Sequence, residues 1–246
     1  MKKLIMIISM AICLTLLNAV FPDGNELLKK IDDNMLSKTM KATYTMTVQT
    51  KRATRTMVSV NWSQGTEKGF SEYTAPAREK GTKMLKDGDN LWIYDPNTDR
   101  IIQISGNMLK QSVMGSDLSY EDFMEETTMQ ESYSALVTGE EIYQERDCWV
   151  LMLAAKKPDI SYQTIKVFVD KERFLPLYEE RYAKSGKLLK TTQVQEVMQV
   201  KDRWYPKQML YKDALKEGKG TLFTIDKIEF DVKIPAYIFT KASLKK

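Results

Sequence analysis

Histidine is absent from the 246 residues. Its absence excludes Ser-His-Asp and Cys-His catalysis, His-ligated zinc and His-based pH switching. Cysteine is nearly absent as well, with only Cys13 and Cys148. No G-x-x-x-x-G-K-[ST] phosphate loop, G-x-G-x-x-G fingerprint or G-x-S-x-G nucleophile elbow occurs. An excess of one charge is also missing. Lys and Arg number 37 against 33 Asp and Glu, a formal +4, and no basic run exceeds two residues. Without a basic stripe interleaved with aromatics, no nucleic-acid partner is expected. No Gly/Ser/Pro-rich linker, low-complexity tract or repeat divides the chain, so a single domain is the economical reading.

The longest apolar run is Leu4 to Leu17, interrupted by Ser9 and Thr15 and preceded by Lys2 and Lys3. Its 14 residues fall short of the ~20 that span a bilayer as a helix. With Leu17-Asn18-Ala19 as a small-residue site, residues 1–19 read as a cleaved secretory signal peptide. The alternative is an anchor that is retained. Ile12 before Cys13 argues against lipidation of that cysteine. Cleavage leaves residues 20–246 with a formal charge of +2 and Cys148 alone, unable to form an internal disulfide. Cys148 opens the apolar run Cys148-Trp149-Val150-Leu151-Met152-Leu153, where a buried, inert thiol is expected.

The remaining chain starts as a helix. Asp23, Gly24 or Asn25 can cap it, Leu27, Leu28, Ile31, Met35 and Leu36 recur at helical spacing, and the pattern fades near Met40. The period then becomes two. Ala42, Tyr44, Met46 and Val48 share one strand face, and Thr56, Val58, Val60 and Trp62 alternate with Met57, Ser59 and Asn61. Asp95-Pro96-Asn97-Thr98 reads as a hairpin between Leu91–Tyr94 and Arg100–Ile104. Further strands follow to Phe230, with polar turns at 184–187 and 201–203. The expected fold is α+β: a strongly curved antiparallel sheet of about ten strands with a few helices. Between Ser105 and Gln130 the strands give way to loop and short-helix material, with Ser119 as a cap and Asp122 near N3.

Asp87-Gly88-Asp89-Asn90 lacks the continuation of a calcium loop and reads as a hairpin turn. The acidic pairs Glu125-Glu126, Glu140-Glu141 and Glu179-Glu180 place adjacent residues on opposite strand faces, which does not make a carboxylate dyad. No catalytic residue, metal ligand or cofactor is therefore assigned, and a non-enzyme is expected. The positive signal is a one-sided sheet rich in Trp and in Met, whose flexible thioethers suit apolar ligands of variable shape.

The segments Lys80-Gly81-Thr82-Lys83-Met84-Leu85, Leu91-Trp92-Ile93-Tyr94-Asp95-Pro96 and Arg100-Ile101-Ile102-Gln103-Ile104 carry a resemblance. Together with Met114-Gly115-Ser116-Asp117-Leu118-Ser119-Tyr120-Glu121-Asp122-Phe123, they resemble the outer-membrane lipoprotein-sorting protein family in its largely uncharacterised branch. The resemblance implies an incomplete β-barrel whose open side is closed by helices. It implies a cavity for acyl chains of lipoproteins or lipids, in the periplasm of a bacterium with two membranes. The implied partners are an inner-membrane transporter and an outer-membrane acceptor, and the implied carrier is a monomer. On this reading the helix 25–40 and the segment 108–129 form the lid. Pattern then nominates Leu28, Ile31, Met35, Met114 and Phe123 as lid contacts. It nominates Tyr44, Met46, Val58, Val60, Trp62, Trp92 and Trp149 as sheet-side contacts. Within 115–123, Gly115 is expected to serve a special backbone angle, with Asp117 and Ser119 capping helical turns. The alternative function is an envelope sensor or transporter accessory subunit that uses the same fold to bind a protein.

Overall fold

The computed structural model describes residues 21–124 and 128–246. The signal-peptide segment 1–19 and the pair Glu125-Glu126 lie outside the described residues. Helix α1 (Gly24–Met35) leads into β1 (Thr39–Gln49), β2 (Thr54–Gln64), β3 (Lys68–Ala75) and β4 (Lys83–Asp87). Strands β5 (Asn90–Asp95) and β6 (Arg100–Ile104) complete the first run. Two 3₁₀ turns, Gly106–Lys110 and Val113–Gly115, and helices α2 (Tyr120–Met124) and α3 (Met129–Ser132) follow. The second run is β7 (Tyr133–Tyr143), β8 (Arg146–Ala155), β9 (Thr164–Asp170) and β10 (Pro176–Tyr182). It ends with β11 (Leu188–Val200), β12 (Arg203–Asp213) and β13 (Gly220–Phe230), before 3₁₀ turns at Ala236–Phe239 and Lys241–Lys245.

Among the described residues, all thirteen strands form one antiparallel sheet in the order β6-β5-β4-β3-β2-β1-β13-β12-β11-β10-β9-β8-β7. The long-range β1–β13 pairing, with Met46 opposite Phe223, joins two meanders. Strands β6 and β7 are the ends of the order and do not pair with each other. The expected α+β class and open, curved antiparallel sheet are thus present, with thirteen strands instead of about ten. The additional strands include β3 and β4, whose sequences hid them. In β3, Gly69 and Ser71 dilute the apolar signal. In β4, Lys83 and Lys86 occupy buried positions. Both ammonium groups donate to backbone carbonyls: Lys83 to Lys246, and Lys86 to Thr66 at 2.7 Å and Met124 at 3.3 Å. The expected turns form where the sequence signals them. Asp87 pairs with Asn90, and Asp95 accepts from Asn97 N (2.9 Å) and Thr98 Oγ1 (3.0 Å).

Helix α1 begins because Asp23 accepts from the backbone N–H groups of Asn25 (2.8 Å) and Glu26 (3.0 Å). It ends at Met35, earlier than the pattern indicated, because Leu36 turns extended (φ −91°, ψ 153°) to feed β1. Its apolar face, Leu27, Leu28 and Ile31, packs against Val137, Leu151, Leu153, Ile165 and Val167 on the inner face of β7–β9. Gly24 makes the approach possible, since a Cβ there would lie 2.4 Å from the Ala135 carbonyl oxygen. Asn25 Oδ1 accepts from Ala135 N at 3.0 Å and pins the helix to the edge strand.

On the other half of the inner face, Met46, Met57, Tyr73, Met84 and Leu91 pack against Val113, Met114 and Phe123 from the β6–β7 connection. The outer face carries a separate cluster. Trp62, Phe70, Leu85 and Trp92 stand opposite one another in successive strands and are covered by Phe239 and Leu244 of the C-terminal turns. Leu28 is buried to 2 % exposure at the centre of the helix–sheet contact. Leu28→Ala is expected to lower unfolding free energy by about 2–5 kcal/mol in urea titration, because the rigid strands beneath cannot collapse into the vacated space.

Candidate functional site

Between α1 and α2 the inner face is not filled. A cavity of about 340 Å³ remains, bordered by Met35 at the end of α1, Leu118, Asp122 and Phe123 from the connection, and the sheet from β5 round to β10. One wall is apolar, with Met40, Tyr44, Met46, Met84, Leu91, Tyr205, Met209, Phe223 and Ile225. Along β2 and β3 the floor is polar and small: Ser59, Asn61, Ser63, Gly69 and Ser71. Asn61 knits this strip together, donating to Ser59 Oγ (2.9 Å) and accepting from Ser71 Oγ (2.5 Å). A third region is charged, formed by Asp122, Arg181 and Lys190, and Lys86 of β4 adds a further cation to the border.

Of the nominated residues, Tyr44, Met46, Met35 and Phe123 border this cavity together. Leu28 and Ile31 lie deeper, sealed between α1 and the sheet, and Trp149 packs at that same cluster with Phe21 edge-on at 6.3 Å. Met114 belongs to the packing beside Val113. Val58, Val60 and Trp92 do not border the cavity, and Trp62 reaches it only from the outer row. Register places Tyr44 opposite Ser59 and Met46 opposite Met57, so Val58 and Val60 point outward with Thr45 and Thr43. Trp62 touches the cavity border, but its ring packs outside, 5.9 Å from Phe70 and under Lys41. Trp92 also lies outside, beneath Lys241 at 4.1 Å. The inward row of β2 is therefore Met57, Ser59, Asn61 and Ser63. Its signal was present as the strict complement of the apolar row, but polarity disguised it.

Helix α2 is held by a buried polar knot. Ser119 and Asp122 form the expected reciprocal cap: Ser119 N (2.6 Å) and Oγ (2.8 Å) donate to Asp122 Oδ2. The same carboxylate pairs with Lys190 on β11 and accepts from Tyr162 Oη at 2.6 Å. Burial alone would raise the Asp122 carboxyl, but the Lys190 charge and hydrogen bonds from Lys190, Tyr162 and Ser119 outweigh it and hold it below its ordinary value. Asp32 of α1 accepts from Met129 N (3.1 Å) and Gln130 N (2.9 Å), so one helix caps the start of another. Burial pushes its carboxyl up despite these two donors.

Gly115 adopts φ +73°, as expected of a special backbone angle, and follows Met114 at φ +50°. Asp117 does not cap a helix. It accepts from Thr221 Oγ1 (2.7 Å) and Asp213 N (3.0 Å), tying the connection to β12 and β13. Cys148 is fully buried, and burial raises its thiol to about 11, which suits an inert core residue rather than a nucleophile. No helix among the described residues is long and apolar enough to cross a membrane.

An unclosed antiparallel half-barrel with helices inside its curve, and a partly filled cavity between them, defines the structural class. The family model that matches residues 65–246 carries the description "Uncharacterized protein". That match spans well over half of the chain, and the chain belongs to this family. Among curated proteins the comparison finds no match. Solved structures share the fold. A domain described as an outer membrane lipoprotein-sorting protein from Vibrio parahaemolyticus superposes with TM-score 0.80 at 24% identity, covering 91% of this chain and 98% of that one. A DUF1329 family protein from Desulfovibrio piger gives TM-score 0.83 at 24% identity over 90% and 97%. A LolA superfamily protein from Nitrosomonas europaea gives 0.75 at 24% identity over 91% and 100%. The chain is thus similar across nearly its whole described length to lipoprotein-sorting folds, as the sequence resemblance implied.

The Asp122–Lys190 pair is nearly shielded from solvent, with side chains 6 % and 13 % exposed. Lys190→Met leaves a buried carboxylate without its cation and is expected to cost about 3 kcal/mol in urea unfolding at pH 7. The folded Asp122 pKa lies below its unfolded value, so the native state binds fewer protons there, and the pair's contribution is lost as pH falls through the carboxylate range. The deficit of the variant should therefore shrink below about pH 4.

Proposed function

We propose that this protein is an exported, periplasmic carrier that shields acyl chains of lipoproteins or lipids on their way to the outer membrane. The observation that carries this reading is the cavity between the curved sheet and its inner helices, with one Met- and aromatic-rich wall. At about 340 Å³ it sits at the small end of ligand pockets and is suited to one chain rather than a folded multi-chain lipid. The similarity of the fold to lipoprotein-sorting proteins supports the same reading.

The mechanism is transfer without covalent chemistry, and no cofactor is invoked. At ~0.8 kcal/mol per buried CH₂, a long acyl chain gains on the order of 10 kcal/mol on leaving water. Release to an acceptor needs an opposing term of comparable kind. Closure of the helices over the empty cavity supplies it, because Met35 and Phe123 repack against the sheet when the chain departs. The thioethers of Met35, Met40, Met46, Met84 and Met209 adapt to both states with little strain. An inner-membrane donor and an outer-membrane acceptor complete the pathway, and the carrier acts as a monomer.

Native mass spectrometry of the protein purified from its own envelope should show bound lipid or acylated peptide. A fluorescent fatty-acyl probe should bind and be displaced by unlabelled chains. Ser63→Phe, which fills the small polar floor, should weaken that probe at least tenfold without altering the far-UV spectrum. A purified protein that carries no lipid and binds no acyl probe overturns the proposal.

A further inference from the structure

Tyr73 on β3 borders the cavity and is only 5 % exposed. Its ring packs among Met57, Met84, Leu91 and Val113. Among the described residues its hydroxyl has no hydrogen-bond partner. Yet no fully enclosed side-chain oxygen among the described residues is left unsatisfied. The Tyr73 hydroxyl is therefore not fully enclosed, and the residue that carries it lines the cavity. A second phenol repeats the arrangement across the cavity. Tyr211 on β12 also borders it, stands edge-on to Phe223 at 5.4 Å, and donates only to the Met209 thioether at 3.4 Å, a weak acceptor.

Burying a hydroxyl without a good acceptor is unfavourable by roughly 1–3 kcal/mol, and a core built only to pack would place phenylalanine at both positions. Burial raises both phenols above their ordinary value, so each remains a donor at neutral pH. What each lacks is an acceptor.

We propose that the cavity reads the carbonyl group at the head of an acyl chain, with the Tyr73 hydroxyl, and secondarily Tyr211, donating a hydrogen bond to an ester or amide oxygen. A carbonyl oxygen accepts such a hydrogen bond and a methylene group cannot. Esterified or amidated chains are thereby selected over bare hydrocarbon of equal length. This inference rests on the carrier reading above and names the chemical class of its cargo.

The test uses three competitors with one saturated chain length against a fluorescent acyl probe: the n-alkane, the methyl ester and the N-methyl amide. In the wild-type protein the carbonyl-bearing competitors should bind more tightly than the alkane. Tyr73→Phe should weaken ester or amide binding about three- to tenfold, leave the alkane unchanged, and leave the unfolding midpoint equal or higher. Tyr211→Phe should act in the same direction. A larger loss for the ester indicates glyceride-type cargo, and a larger loss for the amide indicates N-acylated peptide. Equal losses for alkane and carbonyl competitors, or no loss in either variant, overturn the inference while leaving the carrier reading intact. If the wild-type protein binds none of the three, the carrier reading itself fails.

Discussion

The structure depends on a sheet that does not close. Thirteen strands curve through one continuous ladder, yet β6 and β7 remain unpaired with each other. An open, curved sheet exposes its inner face unless something else covers it. Helix α1 and the β6–β7 connection do so from two sides, each building a separate core with its own half of the sheet. The cavity is what these two coverings leave between them. A closed barrel of the same chain would have left no open side for the helices to cover.

The two halves are joined by the β1–β13 ladder, by an apolar cluster of Tyr205, Ile225 and Phe230 with Met40 and Tyr44, and by polar contacts. On one side α2 packs Phe123 and Met124 against the first meander, and on the other its Asp122 reaches Lys190 and Tyr162 in the second. Asp117 does the same work at the sheet seam through Thr221 and Asp213. Such contacts are directional and specify one geometry, whereas apolar packing alone tolerates sliding. They also place charge at the border of the cavity, beside its apolar wall and its polar floor.

Much of this organisation was legible in the linear chain. The α1 cap, the Asp87–Asn90 and Asp95–Thr98 turns and the Ser119–Asp122 cap are local features set by residues within a few positions of one another, and all are present. Legibility failed where a face had to be assigned. Val58, Val60 and Trp62 are apolar, but period two says only that they share a side. Which side is decided by their neighbours on β1, where Tyr44 and Met46 stand opposite Ser59 and Met57. The apolar outer row is tolerated because part of it, with Phe70, Leu85 and Trp92, is covered by the C-terminal turns from more than a hundred residues away. Strands β3 and β4 are hidden in the linear chain for a related reason, since their polar residues are satisfied by distant carbonyls or border the cavity.

By itself the amino-acid sequence determined the chemistry that is excluded, the helix at the start, the strand-and-turn rhythm and the α+β class. These follow from composition and from interactions a few residues long. Only the tertiary structure decided which row of each strand faces inward, how the sheet stays open, and which residues surround the remaining space. Those outcomes rest on pairings such as β1 with β13 and Asp122 with Lys190, separated by up to nearly two hundred residues. Periodicity carries no information about partners that far apart, because it reports a side chain's phase along the strand and not what lies across from it.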